Sequence, residues 1–333
     1  MKKCVYLLIS LLLVACGQME QKSACKVNLI LDTDMAPDYD DVGAMALMYA
    51  LADSGQVNVL ATVGSNKDEN VAPCIEVINR YFNRPDMPVG TPKGEAPSRT
   101  TWHQGERWTE YLPKAYPHKI ANSSEAPDAV GIYRKVLSSQ PDESVTICTT
   151  GFFTNLKNLL QSKPDAYSPL DGKELIKKKV RLLVSMAGEF PESVNGEFNV
   201  KCDAYSAYKV AQEWPTDIIF SGFEIGVDIL TGKEVAKLDV QDSPVKDTYE
   251  MCLAQDNPEG RNSWDQTAVL VAIKGYAPYY TLKKGTIIID SISGANRWID
   301  DAAGKHACLV ESLPDKQMAE IIENYMKHQP VTK

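Results

Sequence analysis

Short β-branched runs alternate with helical stretches along nearly all of this 333-residue chain, and that rhythm leaves few folds open. Val27–Leu31 reads as a compact apolar strand, and Val42–Leu51, rich in Ala and Met, as a buried helix. Further strands are expected at Val57–Val63, Val145–Thr149, Val180–Ser185 and Asp217–Phe220. Helices are expected at Val71–Phe82, Ala129–Leu137, Thr154–Leu160 and Ala204–Glu213. Such alternation predicts an α/β fold, a mostly parallel, Rossmann-like sheet flanked by helices. Thr286–Ile289, Arg297–Ile299 and His306–Val310 predict a small antiparallel appendage before a last helix at Lys316–Lys327. No internal repeat or low-complexity linker divides the chain, so one domain is expected over residues 25–330. With 44% hydrophobic and 24% charged residues there is material for a sizeable core, and collagen-like or wholly disordered states are excluded. A net charge of −9, with no Lys/Arg run that suggests a phosphate-backbone track, argues against nucleic acid as a partner.

The N-terminus carries an address. Lys2 and Lys3 precede a short apolar run ending at Val14, too short to span a bilayer as a mature helix. Leu13-Val14-Ala15-Cys16-Gly17 resembles the bacterial lipobox, which implies a signal peptide over residues 1–15 and lipidation of Cys16. Residues 16–24 then form a tether. The expected location is outside the cytoplasm, membrane-anchored, in the periplasm or at the cell surface. Beyond Cys4 and Cys16, six cysteines are widely spaced with no C-x-x-C pair, so a zinc site has no support. Cys148, inside the apolar Val145-Thr146-Ile147 run, reads as a buried thiol.

The chemistry concentrates where the first strand ends. Asp32, Asp34, Asp38, Asp40 and Asp41 place five carboxylates within ten residues, between an apolar strand and an apolar helix. Ligands of open α/β sheets bind at the carboxyl ends of strands. So many like charges in one turn repel unless a cation or strong donors sit among them. An all-oxygen set suits a hard cation such as Ca²⁺ or Mg²⁺.

Asp32-x-Asp34, a turn, and Asp40-Asp41 leading into Val42-Gly43-Ala44-Met45-Ala46-Leu47 resemble the N-terminal signature of the calcium-dependent nucleoside hydrolases. The turn Met35–Tyr39 is two residues longer than theirs, and Ala36 stands where they have Gly, which leaves Asp38 as an alternative to Asp40. Further segments follow in the family's order. Thr62-Val63-Gly64-Ser65-Asn66 resembles the strand-end turn whose Asn contacts ribose. Thr149-Thr150-Gly151 through Thr154-Asn155-Leu156 resembles the segment whose backbone carbonyl ligates calcium. Glu197-Phe198-Asn199, after Met186-Ala187-Gly188, resembles the sugar-binding run, and Asp265 opens a late apolar helix as the family's last metal ligand does.

The resemblance implies Ca²⁺ on Asp34, Asp41, Asp265 and the Thr150 carbonyl, with Asp40 as general base. It implies substrate contacts from Asn66, Glu197 and Asn199, with Asp32 orienting its neighbours from behind. Trp264, where many members have His, is similar to the purine-preferring branch, whose aromatic ring stacks on the base. Trp102 and Trp108 lie in a polar stretch, Ala96–Ser124, that reads as a lid, and His103 is the one histidine there that points to chemistry. The implied reaction is hydrolysis of a nucleoside to free base and ribose. The expected partners are a small nucleoside and a membrane through the lipid, with a homo-oligomer left open. Two other readings of the same residues are an exported binding lipoprotein that kept the metal site without turnover, and a haloacid-dehalogenase-like phosphatase. The phosphatase reading is weakened by Ala36 where its motif has Thr.

Overall fold

Leu29 and Leu31 face one side of the first strand and Ile30 the other, all three fully buried. Period-two alternation imposes this on a strand covered on both faces. The computed structural model of the chain describes residues 26–331; the expected signal peptide, Cys16, the 16–24 tether and Cys25 lie outside them. Along the chain the strands are β1 (Val27–Thr33), β2 (Val57–Gly64), β3 (Val89–Gly90), β4 (Val145–Thr149), β5 (Val180–Met186) and β6 (Glu192–Ser193). They continue with β7 (Asp217–Ser221), β8 (Leu230–Thr231), β9 (Arg261–Asn262), β10 (Tyr280–Ile289), β11 (Asn296–Asp300) and β12 (His306–Glu311). Ten of these form one sheet, in the order β3-β2-β1-β4-β5-β7-β12-β10-β11-β6, while β8 and β9 pair as a separate ribbon. Every pairing from β3 across to β12 is parallel; β10, β11 and β6 add on antiparallel.

The helices are α1 (Asp40–Asp53), α2 (Val71–Tyr81), α3 (Trp108–Ala115), α4 (Ala129–Ser138), α5 (Thr154–Gln161) and α6 (Gly172–Lys179). After them come α7 (Phe198–Cys202), α8 (Ala204–Glu213), α9 (Phe223–Gly226), α10 (Pro244–Leu253), α11 (Trp264–Lys274) and α12 (Asp315–Met326). Residues of α1, α2, α10, α11 and α12 fill the core against one face of the sheet, and residues of α4, α5, α6 and α8 fill the core on the other. α1 is buried on all sides from Asp40 to Leu51, which is why it shows no polar stripe. Gly43 lets α1 lie this deep: a methyl group there would collide with the Tyr249 hydroxyl and stand 2.6 Å from Gln266 Nε2.

The expected antiparallel strands are present, and they are joined to the main sheet, because β12 pairs in parallel with β7 and antiparallel with β10. One boundary changes. α1 begins at Asp40 rather than Val42, which places Asp40 and Asp41 in its first turn. The topology also fixes where a ligand fits. From β1 the chain winds outward to β2 and β3; β4, β5 and β7 then add on the other side. The order reverses between β1 and β4, and the crevice beyond their carboxyl ends is the natural ligand site of such a sheet.

Candidate active site

The end of β1 and the residue after it place Asp32, Thr33 and Asp34 at that crevice, Asp34 lining it. Asp32 stays behind it, buried, accepting from the Tyr133 hydroxyl at 2.8 Å and from Asn155 Nδ2 at 3.1 Å. Burial pushes its carboxyl up to about 7 despite these hydrogen bonds. Thr33 Oγ1 donates to Asp41, whose carboxylate also accepts from the backbone N–H of Met35 at 3.1 Å. Met35 itself takes a left-handed φ of 48°, a costly conformation for a non-glycine residue that turns the chain between Asp34 and α1. Gly151 lets the β4 turn approach: a Cβ there would stand 2.6 Å from the Asp34 nitrogen.

The result is a cluster. One carboxylate oxygen from each of Asp34, Asp41 and Asp265 lies within 4.8 Å of the others, and all three side chains are buried. Asp41 and Asp265 each occupy the first turn of a helix, α1 and α11, whose positive N-terminal ends offset part of their charge. The offset is incomplete. Burial, and then repulsion from neighbouring aspartates, pushes Asp34 and Asp265 well above the ordinary carboxylate range. Three acids pressed together out of water, with oxygen donors only, fit a hard cation. The side chains of Thr149 and Thr150 add two buried hydroxyls without hydrogen-bond partners.

Asp40 lies beside this cluster, accepting the backbone N–H of Asp265 at 3.0 Å, and burial followed by the charges of Asp38 and Asp41 raises its carboxyl. Asp38 is different. Arg261 Nε donates to it at 2.8 and 3.1 Å, with a further contact from Nη2, so the guanidinium occupies the acid that rivalled Asp40. Asn199 Nδ2 donates to the Thr150 carbonyl at 3.2 Å, joining two predicted residues. Glu197 caps α7, accepting from the N–H groups of Asn199, Val200 and Gly188 at 2.9–3.3 Å, and burial lifts it to about 7.

These groups line one open pocket of about 230 Å³. Its floor holds Asp34, Asp40, Asp41, Asp265 and Thr150, and its side wall Glu197 and Asn199. Its rim is Trp102, Phe198, Phe223 and Trp264, with Trp264 stacked on Phe223 at 5.3 Å. Asn66 is not among the lining residues. It is fully buried outside the pocket, and its amide holds backbone, donating to Ala36 and Arg99 carbonyls and accepting from Arg99 N–H. Trp108 is buried in α3 away from the rim, and His103 lies behind Trp102, bonded to Thr101 and Asp256. Sequence reasoning passed over Arg261, Phe223 and Phe198. The signal for Arg261 was an unpaired acid at Asp38; for the phenylalanines there was none.

The sequence model of a family described as inosine-uridine preferring nucleoside hydrolase matches residues 29–317. The chain belongs to this family. Solved structures agree on the fold. An inosine-uridine preferring nucleoside hydrolase from Bacillus anthracis superposes with a TM-score of 0.67 at 16% identity, over 90% of this chain and 99% of its own. A purine-preferring ribonucleoside hydrolase from Gardnerella vaginalis gives 0.65 at 15% identity over the same shares, and a plant nucleoside hydrolase 0.65 at 16%. No protein of curated function matches by sequence. The enzyme is thus a nucleoside hydrolase of metal-dependent type, and Asp34, Asp41 and Asp265 are the group among its described residues able to hold the ion.

Proposed function

We propose that this nucleoside hydrolase releases the base from purine nucleosides with Ca²⁺ as its ion, and that it works outside the cytoplasm, anchored through lipid on Cys16. One observation carries the reading: a buried triad of carboxylates beneath a stacked aromatic rim, with Asp40 beside it. Ca²⁺ accepts irregular oxygen cages more readily than Mg²⁺, and Asp34, Asp41, Asp265 and the Thr150 carbonyl would hold it. Bound there, it supplies positive charge that neutralises the acids and lowers the pKa of a neighbouring water.

The chain's own residues do the rest. Water must reach the anomeric carbon while positive charge builds on the sugar. Asp40, its basicity raised by burial, takes the water's proton as the C1′–O bond forms. Glu197 and Asn199, fixed by backbone contacts, orient the sugar hydroxyls so that binding favours the flattened, positively charged ring. Trp264 and Phe223 offer stacking surface to a bicyclic base. The test incubates residues 24–333 with purine and pyrimidine nucleosides, with Ca²⁺ or with chelator, reading free base and reducing sugar. Ca²⁺-dependent release, faster for purines, supports the reading. Release unaffected by chelator, or none from any nucleoside, overturns it.

A further inference from the structure

The pocket is lined by six carboxylates and a single cation, Arg261. That cation is held with unusual care. Its backbone is pinned in the β8–β9 ribbon, where Arg261 pairs with Thr231. Its Nε and Nη2 edge is fixed by Asp38. Its guanidinium carbon lies 5.0 Å from the centre of the Trp102 ring, 5.3 Å from that of Trp264 and 5.5 Å from that of Tyr39. Asp38 uses Nε and Nη2, leaving Nη1 without an acceptor among the described residues. A planar donor gripped on one edge and open on the other is a recognition element for a planar acceptor.

Hydrolysis leaves a charge to be managed at this end of the pocket. When the C1′–N bond breaks, its electron pair stays on the base; the water oxygen bonds to C1′, and one water proton passes to Asp40. The base departs as an anion, or hydrogen-bonded toward one, and takes its proton from solvent afterwards, as Asp40 returns its own. No histidine lines the pocket to protonate the base. We propose that Arg261 is a further catalytic residue, its free Nη1 edge donating to the departing base and holding the negative charge that develops there. Asp38 is its positioning residue. The proposal rests on the hydrolase reading above and names the group that completes it.

The test compares two leaving groups of different need. A purine nucleoside releases a poor anion, whereas 4-nitrophenyl riboside releases a phenolate already stable near neutral pH. Arg261→Gln should lower kcat on the nucleoside by about 10²–10³-fold, the usual loss for one preorganised donor. On the aryl riboside it should lose no more than about tenfold. Arg261→Lys, which keeps charge without the planar fork, should fall between on the nucleoside, and Asp38→Asn should show the same substrate split more weakly. If Arg261→Gln fails to fold, judged by losing the thermal shift with Ca²⁺, Arg261→Lys carries the comparison. Equal losses on both substrates in the folded variant overturn the proposal alone. A wild-type enzyme that cleaves neither substrate overturns the hydrolase reading, and the proposal with it.

Discussion

Asp38 and Asp40 are two positions apart and chemically alike, yet Arg261 claims one and the N-terminus of α11 touches the other. Replacing Asp40 with Asn keeps the acceptor for Asp265 N–H and removes the proposed base. The expected outcome is a loss of about 10²–10⁴-fold in kcat, the range for general-base removal, with nucleoside affinity retained in equilibrium titration. Glu224 gives a pH prediction at the same scale. Burial pushes its carboxyl up to about 7, against the backbone N–H of Phe190 that it accepts at 3.0 Å. An unfolded chain releases this proton near the ordinary glutamate value while the folded one holds it, so native stability falls as pH climbs from about 4.5 to about 7. Glu224→Gln should therefore match wild type at pH 4 and exceed it by about 1–3 kcal/mol at pH 8, read from urea midpoints. The acidic cluster was legible in the sequence because five carboxylates between apolar flanks demand an explanation. The placements of Asn66 and Arg261 were not, because each depends on what a segment more than thirty positions away brings beside it.

α1 shows how an element can be readable in kind and not in extent. Its Ala, Met and Leu run announces a buried helix, but the acidic first turn looks like loop until β1 and α11 close over it. Strands β1, β2, β4, β5 and β7 were visible from β-branched runs of strand length. The continuity of β12 with β7 was not, since pairing partners lie far apart in sequence and leave no local mark. α6 escaped notice because only Leu175 and Ile176 are apolar and buried in a lysine-rich stretch, and α10 because its buried Val245, Tyr249, Cys252 and Leu253 alternate with charged residues over only ten positions. At this scale the position to test is Gly43, where α1 passes under Tyr249, Gln266 and Met326. Gly43→Ala would raise intrinsic helix propensity yet overpack the core. The expected net is a loss of about 1–3 kcal/mol, measured as a lower denaturation midpoint; an unchanged midpoint would mean that the three contacting side chains move aside freely.

Across the whole molecule, an ion on Asp34, Asp41 and Asp265 would join the turn after the first strand, the first helix and a helix near the end of the fold. Binding to the folded state alone should then stabilise the entire domain, by about 2.7 kcal/mol at a hundredfold excess over Kd. Thermal unfolding with and without Ca²⁺ checks this, and Asp265→Ala should abolish the shift. The proposed anchor is tested separately: Cys16→Ser should move the protein from the detergent phase to the aqueous phase while leaving catalysis by the domain intact.

Asp40 accepts a hydrogen bond from a residue 225 positions later in the chain. A growing polypeptide that stops short of Asp265 lacks the third carboxylate of the Asp34, Asp41 and Asp265 cluster. The site is therefore assembled late in synthesis, when about four fifths of the 333 residues have been made.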